Sequence, residues 1–488
     1  MIKQYFLYGG ALILFFCFPQ TTVFALEQKQ FAASESDYGL GREAPEEVVG
    51  LSLSDAISLG LRKNYAIRSV YLDRIAQKFD LRVAEDRFTP KLQLSGRYIA
   101  GKNQDENFRK ANLSPNATLL APLGTRFALS WAREYNKAGN NNVHNDGASI
   151  TVIQPLLRGA GTDINNAPVL LAKLREQTHR LNLKATISDS ITQIILAYHA
   201  LLRAQEQQAL SVASLKRMQK LVETNRELID AGRMAQTDII QTQADLAMQE
   251  LSAKEAENNV HAAKLALLKL LALSLKTPIH ATDTLQGAHV SLNIEQSIKK
   301  AQAQQPAYLI QLLSAKAADI QLLQAQDNRL WDLSLVGGTS RYRSSSSDSR
   351  NWENYVGIQL DIPIGDMTKK QAEVQARVDV QKQALNLEEA RINLEQKVIN
   401  AIRDTESRWQ EYQLAIKASS LSQKKLEIEQ EKLQVGRSSN FQVLSFETDL
   451  RNAENARLNT LIHYLNAQAE LDQVLGTTLE SWEIVINE

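Results

Sequence analysis

The chain of 488 residues carries 55 acidic and 55 basic side chains and has no formal net charge at pH 7. Because both signs are interspersed and no basic patch stands out, composition removes the electrostatic reason to expect a nucleic-acid partner. The length could fill several ordinary domains, but the distribution of glycine and proline points to long helices instead.

The first residues, MIKQYFLYGGALILFFCFPQTTVFA, have the layout of an export signal. Lys3 precedes an apolar run, and Val23 and Ala25 have the spacing that a signal peptidase accepts. We predict a signal peptide over residues 1–25. A membrane anchor is the weaker alternative, because the run is shorter than the roughly 20 residues that a spanning helix needs. Cys17 is the only cysteine, so the mature chain is expected to contain none.

The chain contains an internal repeat with a period of about half its length. The segment LSDAISLGLRKNYAI at 53–67 aligns with IEQSIKKAQAQQPAY at 294–308 at an offset of 241, whereas Pro155 aligns with Pro363 at an offset of 208. The smaller offset places about 33 additional residues in the first copy, between residues 97 and 148. We divide the chain after the signal peptide into a linker (26–50), a first repeat (51–287), a second repeat (288–475) and a tail (476–488).

Long stretches without glycine, with proline only at a helix start (Pro168), predict long helices in both repeats. Helices are expected over about 165–231 and 236–274 in the first repeat, and over about 368–434 and 440–474 in the second. Within 368–434, apolar residues recur at steps of three, four or seven, which is the narrow seam of a coiled coil. Considered alone, the helices would fit a free-standing coiled-coil scaffold equally well.

The segments between the helices alternate apolar and polar residues, as strands do when their two faces differ. Strands are expected over about 91–101, 147–156, 331–342 and 353–364, with an additional hairpin at 116–136 as an open alternative to a surface loop. Segments of about ten residues suit strands that cross a membrane at a tilt. A soluble sheet is the alternative.

The tryptophans Trp131, Trp331 and Trp352 lie in or beside these strands, where membrane-interface aromatics are expected. Two hairpins supply four strands, which cannot close a barrel, since the smallest single-chain barrels need about eight. Open strand edges would also leave backbone groups unpaired in lipid. Several chains are therefore expected to contribute to one barrel.

These features resemble the TolC-type outer-membrane efflux channel family, the outer membrane factors. The resemblance covers about residues 50–478 and is carried by LSLSDAISLGLRKN, IQPLLRGAG, the turns at Gly232 and Gly436, and NARLNTLIHYLNAQAELDQVLG. It implies a mainly α fold with a membrane β-barrel, built from a duplicated half-protein of long antiparallel coiled-coil helices plus β-hairpins. The implied assembly is a homotrimer with a twelve-stranded barrel and an α-helical tunnel across the periplasm.

The resemblance also implies a passive exit duct that serves a tripartite efflux pump or a type I secretion system. Its partners would be a periplasmic adaptor (membrane fusion protein) and an inner-membrane pump. No catalytic residue, cofactor or metal is expected, and the sequence has no HExxH, P-loop, paired CxxC or nucleophile elbow. A periplasmic adaptor or a coiled-coil scaffold is the alternative, although adaptors typically carry one helical hairpin flanked by lipoyl-like β segments.

By resemblance, the two turns form the periplasmic gate and the adaptor-docking tips, with the residues Gly232, Arg233, Asp238, Gly436, Arg437, Gln442 and Ser445. Asp238 stands where a carboxylate helps to latch the closed mouth; a solvated carboxylate at a helix start is the alternative. Members with acidic rings have aspartates where this chain has Gln442 and Ser445, and their latch arginine falls at Ser438. We therefore predict that Arg437 is the partner of Asp238.

Overall fold

The computed structural model describes residues 49–486, apart from residues 105, 140 and 346–349 and apart from the side chains of Asn141 and Asp238. The predicted signal peptide and residues 26–48 of the expected linker lie outside the described residues.

The helices are α1 (Leu53–Lys63), α2 (Tyr65–Glu85), α3 (Thr162–Asp230), α4 (Asp238–Leu270), α5 (Ile294–Gln304), α6 (Pro306–Arg329), α7 (Thr368–Gln434), α8 (Asn440–Leu475) and α9 (Thr478–Ser481). The strands are β1 (Val49–Leu51), β2 (Lys91–Lys102), β3 (Asn107–Leu120), β4 (Arg126–Ala138), β5 (Asn141–Pro155), β6 (Ile279–Ala281), β7 (Asp332–Ser344) and β8 (Arg350–Asp361).

Two long helix pairs contain most of the helical residues. Helix α3 has 69 residues and packs along α4, and α7 has 67 residues and packs along α8. At 1.5 Å per residue, α3 and α7 are each about 100 Å long. None of the helices in the described part of the chain combines the length and apolar character needed to cross a membrane.

The largest apolar core lies where α1 meets α3 and α4. Ile191, Ile194, Tyr198 and Leu267 are completely buried there. The Tyr198 hydroxyl donates a hydrogen bond of 2.8 Å to the carbonyl of Leu51 in β1, so this buried polar group is satisfied. Strand β1 pairs in parallel with β6, which ties the start of the first repeat to its end.

A short helix pair precedes the strands in both repeats. Ser52 caps α1 through a capping box with Asp55, and the Asn64 side chain caps α2. In the second repeat, the Gln305 side chain caps α6 directly before Pro306, which suits the first turn of a helix. The aligned segments of the two repeats therefore have the same helix–cap–helix organisation.

The long strands form one antiparallel sheet of six strands in the order β2-β3-β4-β5-β7-β8. The sequence left open whether residues 116–136 add a hairpin to the four expected strands. The added residues of the first repeat do form two further strands, β3 and β4. Pro115 lies inside β3, where it pairs with Leu94 of β2 but interrupts the ladder with β4. A proline inside a segment argues against a strand, which explains why the sequence left this hairpin open.

Candidate functional site

The turn that ends α3 reverses the chain through a left-handed glycine. Gly232 has a φ of +67°. Its N–H donates to the carbonyl of Ile229 (2.9 Å), and the N–H of Arg233 donates to the carbonyl of Leu228 (2.8 Å). These two bonds define a Schellman motif, which satisfies the last helix carbonyls and favours glycine because it tolerates positive φ.

The turn that ends α7 repeats this geometry. Gly436 has a φ of +74°, and its N–H donates to the carbonyl of Leu433 (3.0 Å). The N–H of Arg437 donates to the carbonyl of Lys432 (2.8 Å). The duplicated Gly-Arg pair is therefore a duplicated helix stop of one stereochemical type.

Side chains at the second turn are held by a glutamate on α7. The Ser438 hydroxyl donates to Glu429 (2.6 Å), and the Lys432 ammonium contacts the other carboxylate oxygen (3.1 Å). The Ser438 hydrogen bond, followed by the Lys432 contact, lowers the pKa of Glu429 below its usual value. Ser439 caps α8, because its hydroxyl accepts a hydrogen bond from the Gln442 N–H (3.3 Å).

The predicted tip residues differ in their surroundings. Arg233 and Arg437 are exposed, whereas Gln442 and Ser445 are half-buried. Asp238 is the first residue of α4, and its side chain lies outside the described residues. The pairing of Asp238 with Arg437 therefore stays a prediction.

Behind the tips, three buried polar side chains join helices of both repeats. This amide cluster consists of Asn225 of α3, Thr242 of α4 and Asn440 of α8, which are 0%, 0% and 6% exposed. The Asn225 amide nitrogen donates to Thr242 (2.9 Å) and to Asn440 (2.8 Å), and the Asn440 amide nitrogen donates to Thr242 (2.8 Å). Since buried amides are costly to leave unpaired, the cluster favours one register between the two hairpins.

Two arginines extend this connection along α8. Arg217 of α3 donates to the buried carboxylate of Glu447 (2.8 Å) and reaches Glu454 at 3.4 Å. Arg451 of α8 donates to the side-chain oxygen of Gln249 in α4 (2.9 Å). Gln249 is 2% exposed. Both helices of the first hairpin are therefore linked to α8 by directional bonds.

An apolar cluster shares the same region and packs α3 against α7 and α8. Its buried members are Met218, Leu221, Leu426, Leu433, Val443, Leu444 and Leu450. The tips are thus packed by apolar contact and aligned by the polar bonds. Among the described residues, no group of three or more His, Cys, Asp or Glu side chains could hold a metal ion.

The six-stranded sheet has two chemically distinct faces, since residues paired across strands share a face and neighbours along a strand alternate. The apolar face includes Leu92, Leu94, Leu113, Leu119, Phe127, Leu129, Ile150, Val152, Leu333, Leu335, Val356, Ile358 and Leu360. The polar face includes Gln93, Ser95, Asn112, Asn116, Ser130, Glu134, Ser149, Thr151, Ser334, Ser340, Glu353 and Gln359. The division runs across all six strands. The exceptions include Arg133, Asp146 and Arg341 on the apolar face and Leu120, Ile153 and Val336 on the polar face.

The tryptophans lie at two levels of the apolar face. Trp131 pairs with Ala148, which pairs with Arg341, which pairs with Trp352, so both tryptophans lie in one cross-strand row. Trp331 precedes β7 at the opposite end of the sheet and is 53% exposed. About ten residues of strand separate the levels, which is roughly 33 Å along a strand and about 25 Å at a usual barrel tilt.

Sequence reasoning placed the turns but missed the amide cluster. Asn440 lies about 200 residues from Asn225 and Thr242, and each of the three is a common residue on a helix surface or near a helix start. Polar residues among the apolar positions of three separate helices are the signal that could have indicated them. That signal does not identify which polar residues contact each other, because tertiary packing sets the distances between their side chains.

Comparison with known proteins agrees with this geometry. Residues 297–477 match the family model for the outer membrane efflux protein. The chain is 23% identical over 461 residues to outer membrane protein TolC of Escherichia coli strain K12, which covers 90% of this chain and 87% of TolC.

Solved structures share the fold. The outer membrane channel CmeC of Campylobacter jejuni superposes with a TM-score of 0.67 at 14% identity, covering 87% of this chain and 86% of CmeC. The open state of the MtrE outer membrane channel of Neisseria gonorrhoeae superposes with a TM-score of 0.64 at 16% identity, covering 90% of this chain and 94% of MtrE. Together with the family match over residues 297–477, these likenesses confirm the resemblance seen in the sequence to the TolC-type outer membrane efflux protein family.

Proposed function

We propose that three copies of this chain form the outer-membrane channel of an efflux or secretion system. The observation that carries the proposal is the two-faced sheet, whose apolar face suits contact with lipid and whose polar face suits a water-filled lumen. One chain leaves β2 and β8 as the end strands of the sheet. Pairing of these edges with neighbouring copies would satisfy backbone groups that lipid cannot.

The helix pairs would extend the duct into the periplasm. With α3 and α7 each about 100 Å long and packed along α4 and α8, three chains would surround a passage with helical walls. The six turns of a trimer would form the periplasmic mouth, where Arg233 and Arg437 are exposed for contact with an adaptor. The inner-membrane pump would supply the energy, and the channel itself would carry no enzymatic activity.

The decisive test asks whether the protein is recovered from the outer membrane as a trimer and whether it conducts ions. Protein purified from the outer membrane should run as a heat-sensitive trimer in detergent and conduct ions when inserted into a planar lipid bilayer. A monomer that does not conduct would overturn the proposal. Recovery in the inner membrane or the soluble fraction would instead support the adaptor or scaffold alternative, which the family comparisons do not favour.

The cargo requires an export assay. A strain lacking the gene should be compared with the complemented strain for export of drugs, metal ions and secreted proteins in parallel. Loss of one class of export, restored by the wild-type chain, would identify the cargo class. Unchanged export of all three classes would contradict a role in efflux or secretion.

A further inference from the structure

The hairpin β3–β4 sets this chain apart from a four-stranded subunit. Strands β2, β5, β7 and β8 each connect to a long or medium helix, namely α2, α3, α6 and α7, and these helices pack in the order α2-α3-α6-α7. Strands β3 and β4 connect to no helix and lie between β2 and β5. The added residues therefore widen the sheet without adding to the helical part.

The turn between β3 and β4 contacts the segment that joins β5 to α3. The N–H of Gly161, at the start of α3, donates to the carbonyl of Leu123 (3.1 Å). A Cβ on Gly124, which has a φ of +94°, would lie 2.2 Å from the carbonyl oxygen of Gly159. Thr125 also hydrogen-bonds to Gln154 of β5. These contacts place the hairpin in the sheet rather than in a separate surface loop.

Both faces of the sheet continue through the hairpin. Leu113 and Leu129 lie on the apolar face, and Asn116 and Ser130 lie on the polar face. The Ser130 hydroxyl lies 2.6 Å from that of Ser149 in β5, so a polar cross-strand contact joins the hairpin to the rest of the polar face. A loop outside the membrane would not need this alternation.

From these observations we propose that β3 and β4 form part of the membrane wall, so that three copies of the six-stranded sheet close an eighteen-stranded barrel instead of a twelve-stranded one. The occupant of the apolar face is membrane lipid, and the partner at the β2 and β8 edges is a second copy of this chain. This inference rests on the proposed channel function and specifies the width of its exit.

The widths of sheet and helices support eighteen strands. With strands about 4.8 Å apart and a tilt of about 40°, six strands cover about 38 Å of circumference and four cover about 25 Å. Four helices packed side by side cover about 36 Å. A six-stranded sheet therefore matches the arc of the four helices attached to it, and the barrel would be about 36 Å across, against about 24 Å for twelve strands.

Barrel width can be measured on the full chain. Averaged end-on electron-microscopy images of purified trimers should show a barrel with a backbone diameter of about 36 Å. A diameter of about 24 Å in a trimer would overturn the eighteen-stranded barrel while leaving the channel function intact.

Single spin labels test the position of the hairpin directly. Because Cys17, the only cysteine, lies in the predicted signal peptide, no native cysteine needs replacement. The matched neighbours Leu129→Cys and Ser130→Cys are labelled in trimers reconstituted into phosphatidylcholine vesicles. Oxygen, which concentrates in lipid, should broaden the signal of Leu129→Cys more, and a water-soluble nickel chelate should broaden that of Ser130→Cys more. The same alternation between Ile358→Cys and Gln359→Cys of β8 serves as the reference.

The two pairs of labelled positions, 129/130 and 358/359, distinguish failure of the hairpin inference from failure of the proposed channel function. Alternation at both pairs supports the hairpin as membrane wall. Alternation at 358 and 359 with preference for the nickel chelate at both 129 and 130 would overturn the inference but not the channel. Absence of alternation at both pairs would overturn the proposed function itself.

Discussion

At the residue scale, the positive φ of the tip glycines disfavours other residues at these positions, even where there is space for a side chain. No atom lies within 4 Å of a Cβ built on Gly436. Gly436→Ala is expected to lower the free energy of unfolding by about 1 kcal/mol, because alanine is disfavoured at positive φ; thermal unfolding and proteolysis between α7 and α8 would measure it. Gly357→Ala is the matched control, since its Cβ also has open space but φ is not positive. Equal effects at the two positions would contradict this explanation.

Also at the residue scale, Glu429 makes the stability of the second tip depend on pH. Its pKa is lowered from 4.5 by the hydrogen bond from Ser438, so this contact contributes stability above the unfolded pKa and loses it as pH falls through the folded pKa. Ser438→Ala should therefore lower the melting temperature at pH 7, and its effect should become smaller at an acidic pH at which the folded carboxyl is protonated. Unfolding scans of both chains at the two pH values check the sign, and a constant difference would contradict the linkage.

At the scale of elements, the register between the helical hairpins depends on the buried bonds to α8. Arg217→Ala removes the charged partner of the buried Glu447 carboxylate and leaves it, among the described residues, only the hydrogen bond from Ser214. We expect a loss of about 1 to 3 kcal/mol in the free energy of unfolding. Arg408→Ala, which breaks exposed ion pairs within α7, should cost at most about 0.5 kcal/mol. Denaturant unfolding of the two variants provides the comparison, and equal losses would show that the bridge between helices contributes little.

At the scale of the whole molecule, we expect closure of the channel to depend on contacts between tips. If Arg437 is the partner of Asp238, the double variant Asp238→Ala, Arg437→Ala should raise single-channel conductance, because the mouth would no longer be latched. Arg233→Ala, which removes another exposed tip arginine, is the control and should leave conductance near the wild-type value. Unchanged closure in the double variant would contradict the latch.

Features that depend on local chemistry could be predicted from the amino-acid sequence. Glycine and proline mark the ends of the long helices, so the helix expected at about 368–434 spans Thr368–Gln434, and the Gly-Arg pairs mark both turns. Alternation within a single segment likewise predicted the two faces of β8. These properties follow from residues within a few positions of one another, which is why one sequence suffices to predict them.

Contacts between distant segments depend instead on tertiary packing. Strands β3 and β4 join the sheet although Pro115 argues locally against a strand. The ladders with β2 and β5 and the docked turn at Gly124 outweigh the two pairs missing between β3 and β4. The amide cluster likewise joins residues from three helices. Strand order and buried polar contacts are properties of packing between segments. No local sequence pattern specifies how close two distant segments lie in the folded chain.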